Sequence, residues 1–213
     1  MGSTHKVSHP IFSRIYSRCS RGMDQHGLAG HRARLLDGLH GSVVEVGAGN
    51  GLNFAHYPDE VTRILAVEPD PYLREQAVTA ARAAGPRFEV TDGTAEHLPA
   101  EDGSFDAVVM SLVLCSVDPP AALKEARRVL KSGGALHFLE HVRAETPGLA
   151  RVQRALDATV WPVFFGGCHT NRDTLQAMAD AGFTVTRLER FIFPESGVPS
   201  PASPCIRGIA GRS

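Results

Sequence analysis

A glycine-rich turn follows the first strongly apolar stretch of the sequence and is the segment best suited to bind a ligand. Residues 43–51 read Val-Val-Glu-Val-Gly-Ala-Gly-Asn-Gly. Glycines let the backbone approach a ligand closely at the start of a helix, which we expect to begin at about Leu52. Glu45 stands two residues before the first glycine. Its negative charge would contribute little to binding a pyrophosphate but suits a ligand that carries an ammonium and a sulfonium group.

A second acidic residue stands where an acid binds ribose in doubly wound folds. Glu68 ends the next apolar run, 21 positions after Gly47, close to the usual spacing of about 20 residues. Its carboxylate can accept two hydrogen bonds from a vicinal diol. The alternative is an ordinary charge at a helix N-terminus, beside Asp70. The glycine turn and this acid together predict a site for a ribose-containing ligand.

His141 is the candidate for a catalytic base. It follows the fifth predicted strand at the sheet edge where open α/β sheets bind ligands, and an imidazole titrates near neutrality. Support of the following segment is the alternative, and His137, inside the strand, is interpreted as structural. Cys168 and His169 have no further ligand at a suitable spacing, so no metal site is predicted. The histidines of the N-terminal segment are interpreted as surface residues: His5, His9, His26, His31 and His40.

The elements that position these residues alternate between strand and helix. This order predicts a parallel sheet covered by helices on both faces. The predicted strands cover residues 43–46, 64–68, 88–91, 107–111 and 135–140. Asp70 before Pro71 and Asp118 before Pro119 predict helix starts, and Thr170 with Asp173 predicts a capping box for a last helix.

The C-terminal third breaks the alternation. Residues 183–193 alternate with a period of two, and residues 205–210 follow with no room for a crossover helix. Two consecutive strands of this kind must be antiparallel. The sequence therefore predicts an α/β, doubly wound, Rossmann-like sheet of seven strands with a terminal antiparallel hairpin.

Two segments lie outside this core pattern. We expect residues 1–40 to form a helical lid and residues 41–213 the main domain, with an insertion at 142–169. The lid is predicted from an apolar stripe on one helix face, formed by Ile11, Phe12, Ile15 and Tyr16. The insertion is rich in aromatic residues, and Trp161, Phe164 and Phe165 are predicted to line an apolar acceptor pocket.

Composition narrows the class of protein. The chain of 213 residues is 43% hydrophobic and 21% charged, which excludes intrinsic disorder. A formal net charge of -1 gives no basic field for nucleic acid, so no nucleic-acid partner is predicted. The longest apolar runs are too short to span a bilayer, and the four scattered cysteines suit a reducing compartment. A cytoplasmic location is expected, and no oligomeric state is predicted.

Two further motifs carry a family resemblance. Residues 92–99 read Asp-Gly-Thr-Ala-Glu-His-Leu-Pro, and residues 102–106 read Asp-Gly-Ser-Phe-Asp. With the glycine turn, they make residues 40–140 resemble the class I S-adenosylmethionine-dependent methyltransferases. This resemblance implies the class I methyltransferase sheet and a methyl-transferring enzyme. Thr94 stands where the group often has an aspartate that contacts the adenine amino group.

A closer resemblance is to the thiol methyltransferase family and its bacterial relatives. It rests on residues 111–117, 128–134, 138–142 and 166–172, and we expect no N-terminal hydrophobic anchor of the kind that this family has. The resemblance implies S-adenosyl-L-methionine as the cofactor. The residues implied to bind it are Glu45, Gly47, Ala48, Gly49, Asn53, Glu68, Pro69, Thr94, Ala95, Glu96, Ser111 and Leu112. The acceptor is expected to contact Tyr16, Trp161, Phe165 and His169.

The expected function is methyl transfer to a small, largely apolar acceptor, with a thiol as the first choice. Proximity in an in-line displacement supplies most of the catalysis, and a base such as His141 is needed only for a protonated acceptor. The alternatives are an O- or C-methyltransferase acting on a phenol, quinone or lipid, and a cofactor-binding protein without catalysis. A membrane-surface enzyme using the Ile11, Phe12 and Ile15 stripe is a further alternative.

Overall fold

A seven-stranded sheet forms the centre of the molecule. The computed structural model describes residues 10–195 and 199–212. The strand order is β3-β2-β1-β4-β5-β7-β6. The strands are β1 (Gly41–Val46), β2 (Val61–Val67), β3 (Phe88–Thr91), β4 (Phe105–Ser111), β5 (Leu130–His141), β6 (Phe183–Ile192) and β7 (Pro204–Arg212).

The first five strands are parallel, and β7 lies antiparallel between β5 and β6. The predicted fold class and the terminal hairpin are therefore confirmed. The chain order reverses between β1 and β4, because β1 leads outward to β2 and β4 leads outward to β5. Ligands of open α/β sheets bind at such a switch point, outside the carboxyl ends of the strands.

Seven α-helices surround the sheet in the described residues. They are α1 (Pro10–Met23), α2 (Ala29–Leu36), α3 (Pro71–Ala84), α4 (Pro119–Val129), α5 (Pro147–Asp157), α6 (Trp161–Phe164) and α7 (Thr174–Asp180). A π-helical segment, Asp24–Leu28, joins α1 to α2, and Gly27 turns the chain there with a φ of 112°. No helix in residues 10–195 and 199–212 is long and apolar enough to cross a bilayer.

The helix starts follow the sequence with two exceptions. Asp70 caps α3, and its Oδ1 accepts from the backbone N–H groups of Tyr72 and Leu73, each at 3.0 Å. The predicted cap at Thr170 is wrong, because Asp173 is the N-cap of α7. The Thr170 hydroxyl instead donates to Asp157 at 2.9 Å, which ties the start of this segment to α5.

The predicted helix at Leu52 is also wrong. Gly47, Gly49 and Gly51 have positive φ angles, of 66°, 58° and 79°, so every second residue of the turn is left-handed as far as Gly51 and no helix can begin before it. Pro58 and the start of β2 then leave too few residues for an α-helix, and only a 3₁₀ turn forms at Phe54–His56. The backbone N–H groups of the turn are therefore not arranged as a helix N-terminus.

Two apolar layers hold the sheet, one on each face. One layer packs β4 and β5 against α4 and α7, with Phe105, Phe138 and Met178 fully buried. The other packs β1 and β2 against α2 and α3, around Leu36 and Ile64. Covering both faces accounts for the near-continuous apolar sequences of the central strands. The sheet edge at the switch point is thereby held rigidly.

Candidate active site

A cleft opens at the carboxyl ends of β1 and β4, at the switch point of the sheet. Its volume is about 190 Å³. Eight of the residues predicted from the sequence to bind cofactor or acceptor line it: Tyr16, Gly47, Gly49, Glu68, Pro69, Ala95, Ser111 and Leu112. The structure therefore brings together residues from five separate segments of the chain.

Glu68 is the fixed acid of the cleft. Its Oε2 accepts from the Gly49 backbone N–H at 2.7 Å, and its Oε1 accepts from the Asp70 N–H at 2.9 Å. Burial raises the pKa of this carboxyl to about 7, although both backbone hydrogen bonds oppose the rise. Each oxygen retains a lone pair after these bonds, so the carboxylate can accept from a diol in the orientation that the backbone sets.

The glycine turn forms the floor of the cleft. A Cβ at Gly47 would lie 2.7 Å from Cγ2 of Val113, so no side chain fits there. A Cβ at Gly49 would lie 3.5 Å from Cε1 of Tyr16, in the space between the turn and α1. The turn therefore presents bare backbone to the cleft, as close binding of a cofactor requires.

Glu45 lies beneath the cleft and does not line it. It is buried, and its carboxylate accepts from Asn53 Nδ2 and from the Tyr57 hydroxyl, each at 2.8 Å. Burial raises its pKa to about 7. Asn53 is buried with it, and Ala48 packs into the apolar layer below the turn. In this structure these three predicted residues support the turn from below.

Arg32 connects this support to the cleft and is a residue that sequence reasoning missed. The side chain is buried, and it donates to Asn53 Oδ1 at 3.0 Å and to Ser111 Oγ at 3.2 Å. Its Nε pairs with Asp24 at 2.9 Å. One guanidinium therefore joins α2 to the ends of β1 and β4. No local signal could have indicated this, because Arg14, Arg18 and Arg21 look similar in the sequence.

The helix α1 covers the cleft with a polar face. Ser13 donates to Asp70 Oδ2 at 2.7 Å, and Ser17 donates to Gln76 Oε1 at 2.6 Å. Ser13, Ser17 and Ser20 are the buried residues of this face. The predicted apolar stripe is wrong at Ile15, which is 57% exposed; the side chains of Ile11 and Phe12 lie outside the described residues. We name Ser13, Ser17 and Ser20 the serine face.

The loop after β4 forms the opposite wall of the cleft. Leu112 has a φ of 60°, and its N–H donates to the Leu139 carbonyl at 2.7 Å. Oε1 of the fully buried Glu140 accepts from the N–H groups of Val113 and Leu114, at 2.9 and 3.0 Å. Burial raises the pKa of Glu140 to about 7. This side chain shapes the loop from behind, as Glu45 shapes the glycine turn.

The other predicted residues lie beside the cleft. Thr94 forms a β-bridge with His97, and Glu96 accepts from the Asp118 N–H at 3.1 Å. Trp161 stacks on Phe165, with ring centroids 4.2 Å apart. Phe164 and Phe165 are 71% and 45% exposed. His169 Nδ1 donates to the Gly167 carbonyl at 2.8 Å.

His141 is part of a buried group of sulfur and nitrogen atoms. Its Nε2 lies 3.2 Å from Sγ of Cys168, and Cys115 adds a third possible ligand atom nearby. His141 is only 8% exposed and does not line the cleft. His137 is structural, as expected, since its Nδ1 donates to the Leu35 carbonyl at 2.8 Å.

The sequence interpretation is wrong for one N-terminal histidine, His31, which was expected at the surface. His31 is buried, whereas His26 and His40 are exposed as expected. Its ring stacks on Phe191 with centroids 3.9 Å apart and accepts from Arg207 at 2.8 Å. Burial lowers its pKa, so the ring stays neutral in this contact. The reason is tertiary: α2 packs against β5 and β7, which the local sequence does not show. His5 and His9 lie outside the described residues.

Comparisons with known proteins identify the family of the chain and its fold. A family model described as a methyltransferase domain matches residues 44–138. A crystal structure of an S-adenosylmethionine-dependent methyltransferase from Thermotoga maritima, a possible histamine N-methyltransferase, superposes with a TM-score of 0.70 and 26% identity. It covers 95% of this chain and 99% of that one. Geranyl diphosphate methyltransferase in complex with SAM shares the fold, with a TM-score of 0.68 and 17% identity over 88% and 85% of the two chains.

The fold and the cleft define a class I S-adenosylmethionine-dependent methyltransferase. Human thiol S-methyltransferase TMT1B is 36% identical over 82% of this chain and 73% of its own length. Human thiol S-methyltransferase TMT1A is 36% identical over 73% of this chain. The chain belongs to the methyltransferase family that includes these relatives, and it spans 65% of the length of TMT1A.

Proposed function

We propose that this protein transfers the methyl group of S-adenosyl-L-methionine to the sulfur of a small, largely apolar thiol. The use of S-adenosyl-L-methionine is supported by the Glu68 carboxylate, which two backbone N–H groups hold at the switch point of the sheet. The choice of a thiol as the acceptor is supported by the relatives named as thiol S-methyltransferases. The cofactor supplies a methyl group on a positively charged sulfonium.

The residues of this chain suit that cofactor. Glu68 is positioned to accept hydrogen bonds from a ribose diol, and the bare backbone of Gly47 and Gly49 leaves room for the methionine part. Leu112 and Val113 give the reacting side of the cleft an apolar wall. Water excluded from this side cannot solvate the attacking sulfur, and a held acceptor gains the large advantage of proximity.

The acceptor side is the less polar end of the cleft. Leu112, Val113 and Val117 line it together with Gly166 of the insertion. The stacked pair Trp161 and Phe165 lies close by in the chain and is only partly covered. A small apolar thiol fits such a wall because a pocket of this kind binds by buried area and a few polar contacts.

A matched panel of acceptors tests the proposal. We expect purified protein with S-adenosylmethionine to convert thiophenol to its methyl thioether and to leave phenol and benzoate unchanged, as measured by mass spectrometry of the products. Glu68→Gln should reduce turnover, whereas Glu89→Gln, at an exposed surface pair with Arg63, should not. Anisole or methyl benzoate as the main product would show that oxygen is the acceptor atom and would overturn the thiol assignment.

A further inference from the structure

We propose that Cys115, His141 and Cys168 bind a zinc ion. Their ligand atoms, two Sγ and one imidazole nitrogen, all lie within 4.8 Å of one another. We name these three residues the cysteine-histidine cluster. They come from the loop after β4, the end of β5 and the segment after α6, with 26 and 27 positions between neighbours in the chain. Such wide spacing hides the cluster in the sequence.

The geometry fits a tetrahedral zinc ion after small shifts of the three side chains, with one pair of ligand atoms moving apart by a few tenths of an ångström. Zn–S and Zn–N bonds of about 2.3 and 2.0 Å place neighbouring ligand atoms about 3.5 to 3.8 Å apart. His141 Nε2 and Cys168 Sγ are already at 3.2 Å. Two thiols and an imidazole form a soft donor set, which favours zinc over magnesium or calcium.

The backbone around the cluster is fixed by hydrogen bonds that join its segments. The His169 N–H donates to the Cys115 carbonyl at 2.8 Å, and Arg172 Nε donates to the same carbonyl at 3.2 Å. The indole Nε1 of Trp161 donates to Cys168 Sγ at 3.4 Å. The Trp161 contact orients the Cys168 thiol, whereas Nδ1 of His141 has no hydrogen-bond partner among the described residues.

The cluster lies behind the wall of the cleft, since none of its three side chains lines the cleft itself. Ser116, next to Cys115, lines the cleft, and so does Gly166, two residues before Cys168. Three protein ligands leave zinc a fourth position, as catalytic zinc sites require. We place the acceptor thiol at this fourth position, a step that rests on the proposed function.

Binding of the acceptor to zinc would prepare its sulfur for methyl transfer. The acceptor thiol binds zinc as a thiolate and gives its proton to water, because zinc deprotonates a coordinated thiol. The thiolate sulfur then forms a bond to the methyl carbon while the bond from that carbon to the sulfonium sulfur breaks. The products are a methyl thioether and S-adenosylhomocysteine, and the thioether, a weaker ligand, leaves the metal.

Zinc content tests the site. We expect protein purified under reducing conditions and dialysed against excess zinc, then against metal-free buffer, to retain one zinc ion per chain by elemental mass spectrometry. Cys115→Ser and Cys168→Ser should each lower retention at least tenfold, whereas Cys19→Ser, at an exposed cysteine of α1, should retain it fully. Unchanged S-adenosylmethionine binding in the variants shows that they are folded. Folded parent protein that retains no zinc, or that contains a Cys115–Cys168 disulfide in its place, overturns the proposal.

Cobalt substitution tests the fourth position. We expect cobalt-loaded protein to show sulfur-to-cobalt charge-transfer bands that shift when thiophenol is added without cofactor, and to be unaffected by phenol. Thiol methylation with no such shift would leave the proposed function intact and overturn the metal's role in binding the acceptor. A shift without methylated product would leave the zinc site intact and overturn the proposed function.

Discussion

The backbone N–H of Gly49 donates to the Glu68 carboxylate at 2.7 Å, so the glycine turn and the acid after β2 are joined directly. The contact fixes the acid at the height of the turn. It also uses one oxygen of a buried carboxylate whose pKa burial raises to about 7. The two strongest features of the sequence therefore form a single unit in the fold.

Glu68→Gln tests this unit. The amide keeps the size of the side chain but replaces one acceptor oxygen with a donor, which faces a backbone N–H at Gly49 or Asp70. We expect S-adenosylmethionine binding to weaken by about 1–3 kcal/mol, the cost of leaving a hydrogen bond to a charged group unmade. Isothermal titration measures it, with Glu89→Gln as the control. Equal affinity in both variants would remove Glu68 from the binding site.

Gly47→Ala tests the contact between the glycine turn and the loop after β4. Gly47 and Gly103 both have positive φ angles, of 66° and 60°, but a Cβ meets Val113 only at Gly47. Both substitutions should cost about 1–2 kcal/mol of stability from the left-handed backbone alone. Only Gly47→Ala should also abolish cofactor binding, because Val113 must move into the cleft. Titrations of the two variants, compared with their urea midpoints, separate strain from displacement.

Tyr16→Ala tests whether α1 acts as a lid. The cleft of about 190 Å³ is smaller than the usual range of about 300–1,000 Å³ for small-molecule pockets. We propose that α1, which contributes Tyr16 and Ser13 to the wall, moves to admit the cofactor. Tyr16→Ala should then speed cofactor entry in stopped-flow measurements and lower turnover, because the closed site loses its cover. Ile15→Ala, at the exposed neighbouring position, should change neither rate. Identical rates for the two variants would make α1 a fixed wall.

The buried acid Glu45 predicts a pH dependence of stability. Its folded-state pKa of about 7 lies above that of the unfolded chain, so the folded state binds more protons between about pH 4.5 and 7. The free energy of unfolding must therefore fall as pH rises through this window, by about 1 kcal/mol between pH 6 and pH 8 for this residue.

Glu45→Gln isolates this contribution from those of other groups. His31 and His137 have lowered pKa values and act in the opposite direction, so the absolute profile is a sum. The difference between parent and variant in urea unfolding at pH 6 and pH 8 reports Glu45 alone. We expect the variant to gain relative stability at the higher pH. A constant difference would mean that Glu45 is ionised throughout, with Tyr57 and Asn53 compensating its burial.

Much of the fold could be predicted because its signals are local. The cap at Asp70, the apolar strands and the strand that begins at Phe183 are each specified within a few residues, and the structure confirms them, although residues 186–190 of β6 are all exposed and do not alternate. Contacts between distant segments could not be predicted. His31 looks like any polar histidine until α2 packs on Phe191, and Ser13 looks like a surface residue until it meets Asp70.

In the candidate site, too, the features set by local sequence could be predicted and those that depend on distant segments could not. The glycine turn and Glu68 were predictable because one strand, one turn and one spacing define them. Arg32 and the cysteine-histidine cluster were not, because each depends on three segments that only the folded sheet brings together. The helix expected at Leu52 does not form for a local reason: left-handed glycines at positions 47, 49 and 51 delay any helix, and too few residues then remain before Pro58.

The position of β7 between β5 and β6 orders the assembly of the sheet. Within the described chain, β6 pairs only with β7, so β6 cannot dock until residues 204–212 have left the ribosome. Until then β5 presents an open edge whose backbone can pair with another nascent chain, which favours aggregation. Completion of the seven-stranded sheet therefore waits for β7, whereas the pairing of β1 with β4 at the cleft does not depend on it.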